Sequence, residues 1–378
     1  MPAPPVVLLP GPETSIQNVD NNVRGMDANV YELEPSAAPL VALSDAMGQV
    51  ASDNPKAEWL EDEAMPRITT ATAAAAASAT TIGVGQDIFR VGDVIRFSSL
   101  GFGMLITATA AGAITGTNIG SAFVAVPTGS EIYLVGNANA EGATLREIKL
   151  PQLVTQFNYD EIFRTPFGLT TTEMGTLHYG GDERARQTKY WGIEHARAIE
   201  QSAFFGIRSI NGTTRTAGGL LGYIATNVSA AASPLTELAW NTFLKLAFRY
   251  GSQRKTAYCS PQAIAVIEGY ARSNIRPSPS SDHASTYGIE MKQYVSGQGT
   301  VDLVKHPDWM DSAVFGGYVF VVDMDAVRLR PLRNVGSTRL LKERQAPDYD
   351  GVKDEYRSET CLQVMHERRH ALLTGVTT

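Results

Sequence analysis

The chain has 378 residues, 43% of them hydrophobic, 19% charged and 8% aromatic, with 32 basic side chains against 39 acidic ones and a net charge of −7. That much apolar material excludes global disorder, and the acidic balance argues against a dedicated nucleic-acid binder with a broad basic face. Two cysteines, Cys259 and Cys361, are too few for a disulfide framework or a four-cysteine metal site, and no run reaches the ~18 apolar residues of a membrane span.

In chain order, the first twelve residues carry five prolines and no basic side chain ahead of a short apolar run, unlike a secretory signal. Residues 1–65 hold eleven acids against Arg24 and Lys56, so this segment is −9 and the rest of the chain +2. With its prolines and no long periodic pattern, residues 1–55 read as an extended arm lying on a neighbouring subunit or, equally, as a solvated tail. No lysine occurs between Lys56 and Lys149. Ala71–Ala79 reads as a low-complexity linker. The runs Ile88–Phe97, Met104–Ala108, Ala122–Val126 and Ile132–Val135, with turns at Gly92-Asp93 and Gly129-Ser130, read as a small barrel or sandwich. Residues 144–174 form a second extended stretch, ending in the β-prone Thr170-Thr171-Thr172.

The best helix runs from about Asp182 to Phe205, with Trp191, Ala198, Ile199 and Phe205 near one face. Glu183/Arg186, Glu194/Arg197 and Arg197/Glu200 are spaced to meet on its surface. Gly192 in its middle costs about 1 kcal/mol relative to alanine, a sign of tight packing or a bend. Ser233-Pro234 predicts a second helix with Leu238, Phe243, Leu244 and Ala247 inward, ending at Gly251. Ser260-Pro261 predicts a third, with the stripe Ile264, Ile267 and Ala271. Residues 274–299 look like a loop. Strands follow at Thr300–Lys305, Gly317–Val322, Ala326–Leu332 and Glu359–His366. The fold class is α+β with an appended β unit.

His366-Glu367-Arg368-Arg369-His370 matches H-E-x-x-H, in which two histidines one helical turn apart bind zinc and the glutamate activates water. Here the motif continues a strand-type alternation and starts 13 residues from the C-terminus of the sequence, leaving no room for a third ligand at metalloprotease spacing. A zinc metallopeptidase is therefore disfavoured. Phosphate-loop, dinucleotide-loop and nucleophile-elbow patterns are absent. Cys259 before a helix N-cap reads as a buried small hydrophobe. Asp308/Asp311 and Asp323/Asp325 read as turn acids, with calcium binding the alternative. No catalytic, cofactor-binding or metal constellation emerges.

The order of segments and a set of short stretches resemble the major capsid proteins of tailed bacteriophages, which share the Hong Kong phage fold. The resemblance narrows to a subfamily with a small β insert in the extended loop. The stretches are Glu58-Trp59-Leu60-Glu61-Asp62-Glu63, residues 89–96, Glu141-Gly142-Ala143, Thr155-Gln156-Phe157, Glu161-Ile162-Phe163-Arg164, residues 194–206, 319–332 and 359–375. His370-Ala371 then falls within a structural motif. The resemblance implies an arm (1–55), an extended loop (56–68 and 141–175), a β-rich insertion domain (69–140), a peripheral domain (176–215 and 301–378) with a spine helix (182–205), and an axial domain (216–300). It implies a non-enzymatic subunit that assembles through hexamers and pentamers into an icosahedral shell around double-stranded DNA, without sequence-specific contacts. The expected partners are copies of itself, with scaffold, portal and decoration proteins possible, no membrane and no cofactor. The expected location is the virion, after assembly in the host cytoplasm. Arg67, Lys149 and Arg164 are the candidate inter-subunit contacts, matched by acids on neighbours. An encapsulin-like nanocompartment shell is the same-fold alternative, and a tail or decoration protein a weaker one, because the long helix argues against it.

Overall fold

The computed structural model describes residues 38–47, 49–77, 79–98, 100–120, 124–178, 181–231, 235–271, 275–277, 291–312 and 314–377. Trp59–Gln156 forms one unit, and the chain on either side of it forms the other.

In the larger unit the long helix is Glu183–Phe205, 23 residues capped by Asp182, whose carboxylate accepts from the Arg184 amide. Its buried stripe is His195, Ile199, Glu200, Ala203 and Phe204. The expected face is only partly right: Ile199 is buried, but Ala198 is exposed. Two members of the real stripe are polar, so hydrophobic spacing alone misplaces it. The helix lies on a four-stranded sheet whose centre is the strand Gly351–Val364. Residues 351–360 of that strand pair with the whole of Glu161–Thr170, while Val327–Pro331 and Arg339–Leu341 pair along its other edge. Arg184 forks onto Asp354 with two 2.9 Å bonds, and Tyr356 donates to the Thr188 carbonyl at 3.1 Å. A β-carbon on Gly192 would stand 3.2 Å from the Tyr356 hydroxyl, which accounts for the glycine.

A seven-stranded mixed sheet fills the rest of the unit, in the order Val228–Ala230, Ala371–Thr374, Val319–Val322, Arg254–Cys259, Thr300–Lys305, Met291–Val295, Ile275–Pro277. It draws strands from both the 216–300 and the 301–378 stretches. The helices Glu237–Ala247 and Pro261–Ala271 bury Trp240, Phe243, Leu244 and Ile267 against one core. A second core, built around Phe204, Trp309, Tyr258 and Phe320, joins this sheet to the long helix.

Several expectations are corrected. The second helix starts after Thr236, whose hydroxyl accepts from the Ala239 amide, and Leu238 points out, 78% exposed; Ser233-Pro234 lies outside the described residues. Within 274–299, Ile275–Pro277 and Met291–Val295 pair as strands; residues 278–290 lie outside the description. Thr170 ends a strand and caps a one-turn helix, Thr171–Gly175, because its hydroxyl takes the Glu173 amide. The arm is not wholly extended, since Pro39–Met47 is a helix with Leu40 in the second core; residues 1–37 lie outside the description. The strand expected through His366 stops at Val364.

The smaller unit is a barrel. Its strands run Ile68–Thr70, Glu131–Asn137, Asp93–Phe97, Gly103–Ala110, Ala113–Ile119, Thr81–Gly83, and the bridge between Ala71 and Val84 joins the first to the last. Closure removes free sheet edges. Phe89, Ile95, Phe97, Phe102 and Met104 fill the centre. The run Ile88–Phe97 is a strand only from Asp93, because the Asp93 carboxylate accepts from the Arg90 amide and Gly92 turns the chain at φ 86°. Ala71–Ala79 is no free linker, for Ala71 and Ala75 bridge to Val84 and Val126. Of the run Ala122–Val126, residues 122 and 123 lie outside the description and Val126 makes only that bridge. The strand Ala113–Ile119 was not signalled, because Gly116 and Asn118 lower its β character. Gly116 is required, since a β-carbon there would stand 2.3 Å from the Leu105 carbonyl oxygen. Lys56–Glu61 and Val154–Tyr159 pair with each other where the chain passes from one unit to the other.

Candidate functional site

The three candidate contact cations sit in different settings. Arg164 lies on the strand Glu161–Thr170 and forks onto Glu355, one arm at 2.9 Å; the Arg164 side chain is 62% exposed and that of Glu355 7%. The guanidinium holds the Glu355 carboxyl below the usual carboxylate range. Lys149 is strapped to the barrel unit, its ammonium 3.0 Å from Asp87 and 2.9 Å from the Phe89 carbonyl. Arg90 in turn reaches the Lys149 carbonyl at 2.7 Å. Arg67 is exposed, and its side chain makes no ion pair or hydrogen bond among the described residues; only its backbone carbonyl is used, by the Leu134 amide at 2.8 Å. So acids of the same chain already meet two of these cations, and the three do not form one cluster.

The His366–His370 motif is not on a helix. Residues 367–369 make a single 3-10 turn, and His366 precedes it in the left-handed region, φ 52°. Glu367 is committed to backbone capping: it accepts from the Ala225 amide at 2.9 Å and from the Thr226 hydroxyl. His370 is fully buried; its Nδ1 accepts from the Asp323 amide at 3.2 Å, and burial pushes its pKa down to about 4, leaving a neutral ring. Asp323 is held by Arg369 and Ser252, and Asp308 by Arg197, so these acids serve as structural partners. Among the described residues no three His, Cys, Asp or Glu side chains are grouped to hold a metal. The Cys259 thiol is fully buried and its pKa is pushed up by desolvation.

Sequence reasoning missed a set of buried polar anchors. Glu200, fully buried on the long helix, accepts from the Leu40 and Val41 amides at 2.8 Å each. Those are orphan donors of the helix Pro39–Met47, so a carboxylate 160 residues away docks its positive end. Lys255 is buried and donates to the carbonyls of Ala247 and Tyr250 at 2.7 Å and to that of Arg369, tying the end of one helix to the C-terminal turn. Burial lowers its pKa to about 8. Asp160 stands between the strands Val154–Tyr159 and Glu161–Thr170, with both carboxylate oxygens buried, no N–H or O–H donor on them among the described residues, and the Cys361 thiol beside them. None of these pairings has a local signal. The arrangement as a whole holds segments in place and offers no poised nucleophile or acid–base pair among the described residues.

A sequence model of the SU10 major capsid protein matches residues 13–377. The major capsid protein of Pseudomonas phage PaMx41 is 21% identical over 404 aligned positions, covering 96% of this chain and 94% of that one. Among solved structures, a chain from Mycobacterium phage Bobi superposes with a TM-score of 0.51 at 8% identity, over 96% of this chain and 99% of that one. The capsid of a native GTA particle does so at 0.51 and 10%, over 96% and 99%. The α+β Hong Kong-type fold expected from the segment order is the fold these likenesses share with the chain.

Proposed function

The chain belongs to the SU10 major capsid protein family, and from that membership we propose a non-enzymatic subunit that builds a phage head. The family match across residues 13–377 carries this reading. In it, copies assemble through hexamers and pentamers into an icosahedral shell that encloses double-stranded DNA, held without sequence-specific contacts. A mildly acidic, low-charge chain suits such a container, because strong adhesion to phosphates would hinder filling and release. Scaffold, portal and decoration proteins are the further partners, and assembly takes place in the host cytoplasm. The encapsulin alternative has no comparable support, since both the family and the PaMx41 relative are capsid proteins.

For the architecture we assign the long helix and the four-stranded sheet to the peripheral domain. Residues 216–300, with the strands their sheet recruits, form the axial domain, residues 56–68 and 141–175 the extended loop, and 69–140 its insert. Residues 1–55 act as the arm, rooted in its own subunit by the buried Leu40 and Ser44. Arg67, Lys149 and Arg164 contribute to contacts between subunits. Arg67 is the one of the three whose charge awaits a partner, while the Arg164 guanidinium would be shared between Glu355 and a neighbour's acid.

The test is electron microscopy with light scattering on the protein produced alone and with its neighbouring genes. Closed shells or capsomer rings are expected. A monodisperse monomer in every condition overturns the reading, and a cargo enzyme filling the shells in place of DNA turns it toward a nanocompartment. A chain lacking residues 1–37 should fold normally and fail to close shells.

A further inference from the structure

Resting on the capsid reading, we propose that one face of the barrel is a self-complementary patch, which packs across a two-fold axis against the same patch on the barrel of a second copy of this chain. The patch is a cross centred on Tyr133. Ile68 and Arg96 both stand opposite Tyr133, one on each neighbouring strand, so the three make a row across the sheet. Glu131 and Val135 share its face two residues away on either side, because side chains alternate along a strand. All five are exposed, Ile68 by 45%, Tyr133 by 43% and Val135 by 53%.

Charge singles out this face. Residues 69–140 hold five charged side chains, Asp87, Arg90, Asp93, Arg96 and Glu131. Three are committed to the chain that follows the barrel: Asp87 to Lys149, Asp93 to Arg146, and Arg90 to the Lys149 carbonyl. The other two are arms of the cross. Among the described residues the Arg96 side chain makes no ion pair or hydrogen bond, and the Glu131 carboxylate receives only the Ser98 hydroxyl, at 3.3 Å. Diagonal neighbours on a sheet lie about 7–8 Å apart, within reach of long side chains, yet no ion pair joins these two.

The spacing of the cross selects the occupant. In the row an apolar side chain, the tyrosine and a cation follow one another at about 4.8 Å; in the column an apolar side chain, the tyrosine and an anion follow at about 6.6 Å. A two-fold axis lying in the contact plane, along the diagonal between Arg96 and Glu131, exchanges row and column. It sets Tyr133 on the partner's Tyr133, Arg96 on the partner's Glu131 and Ile68 on the partner's Val135, each unlike pair occurring twice. The mismatch of about 2 Å is within the reach of these side chains. The strands of the two barrels then cross near a right angle, one of the two ways in which sheets pack face to face. A like patch thus meets both charges and covers both apolar arms, whereas a phosphate chain would repel Glu131 and leave Ile68 and Val135 in water. So small a patch binds weakly as a single contact and gains its strength from repetition in a shell.

The experiment uses full-length chain assembled into shells. Tyr133→Cys places a thiol on the axis, while the native Cys259 and Cys361 are buried. A bis-maleimide that spans the ~10 Å between packed sheets should link copies in shells and not in unassembled chain. Asn118→Cys, exposed three strands away around the barrel, should stay unlinked. In the Tyr133→Cys background, Arg96→Glu or Glu131→Arg alone should each cut the linked fraction about fivefold. Both reversals in one chain should restore it, and so should mixing the two single-reversal chains, because every ion pair joins position 96 of one copy to position 131 of the other. Circular dichroism verifies folding, and if the reversals do not fold the Tyr133→Cys link decides alone. Shells in which Tyr133→Cys chains do not link, or link whatever the charges, overturn the patch and leave the capsid reading intact. A thiol at position 133 that is shielded from maleimide yet joined to no other copy assigns the face to a different partner and also overturns it. Failure of the wild type to form shells in any condition overturns the capsid reading itself, and the proposal with it.

Discussion

Replacing Asp160 by asparagine removes an ionisable group from the interior of the larger unit. Asp160 is fully buried, and no N–H or O–H group donates to its carboxylate oxygens among the described residues, the Cys361 thiol being its polar neighbour. Burial, opposed by the Cys361 thiol and by Arg215 and Arg330 and assisted by the like charge of Glu359, raises its pKa from 3.8 to about 6. The folded chain therefore binds the proton more tightly than the unfolded chain. Stability is highest below the unfolded pKa, falls as pH climbs through the interval from 3.8 to about 6, and is flat above it. Two pK units correspond to a ceiling of about 3 kcal/mol, and relaxation of the nearby guanidinium groups brings the expectation to about 2. D160N should thus be nearly neutral at about pH 4 and stabilising by about 2 kcal/mol at about pH 8. Urea unfolding of unassembled chain followed by tryptophan fluorescence suits the measurement, because Trp191, Trp240 and Trp309, three of the four tryptophans, lie in this unit. A wild-type-minus-variant difference that stays constant across this pH range refutes the reasoning.

Further outcomes follow from the same packing. Gly192→Val should destabilise by about 1–3 kcal/mol, since its branches meet the Tyr356 ring edge and hydroxyl, 3.2 Å from the first added carbon; thermal melting reads this. Glu200→Ala strips two amides of Leu40 and Val41 of their acceptor and should cost about 3 kcal/mol locally, seen as new proteolytic nicking within residues 38–55 while the rest stays protected. Lys255→Met leaves three carbonyls without their donor and should cost about 3 kcal/mol or more in chemical unfolding, although it removes a buried charge.

What the sequence made legible was local. The long helix was found to within a residue because Asp182 caps it and Glu183/Arg186 and Glu194/Arg197 pair along it. The strand Thr300–Lys305 and the helix after Ser260 were found for similar reasons. The third expected pair, Arg197/Glu200, does not form, because Glu200 turns inward to the helix at residue 39 and Arg197 goes to Asp308. That helix was missed because nothing in Pro39–Met47 is periodic and its anchor lies far along the chain. The candidate contacts fared similarly: Arg164 was legible as an exposed cation, but its neighbours Arg357 and Arg339 are 193 and 175 residues distant in sequence, and only strand register brings the three into one row.

The pairing of Lys56–Glu61 with Val154–Tyr159 has an evolutionary reach. Adjacent strands lie about 5 Å apart, so the whole barrel hangs from two neighbouring points and asks for no change of span in the chain that bears it. To the rest of the subunit it resembles a short surface loop in its demand for closure, although it carries nearly a hundred residues with their own core. Such a module can be lost, enlarged or exchanged between lineages while the surrounding scaffold keeps its registers. For the same reason, open turns such as Gly101 and Gly120, where an added carbon meets nothing within 4 Å, are places to graft foreign peptides.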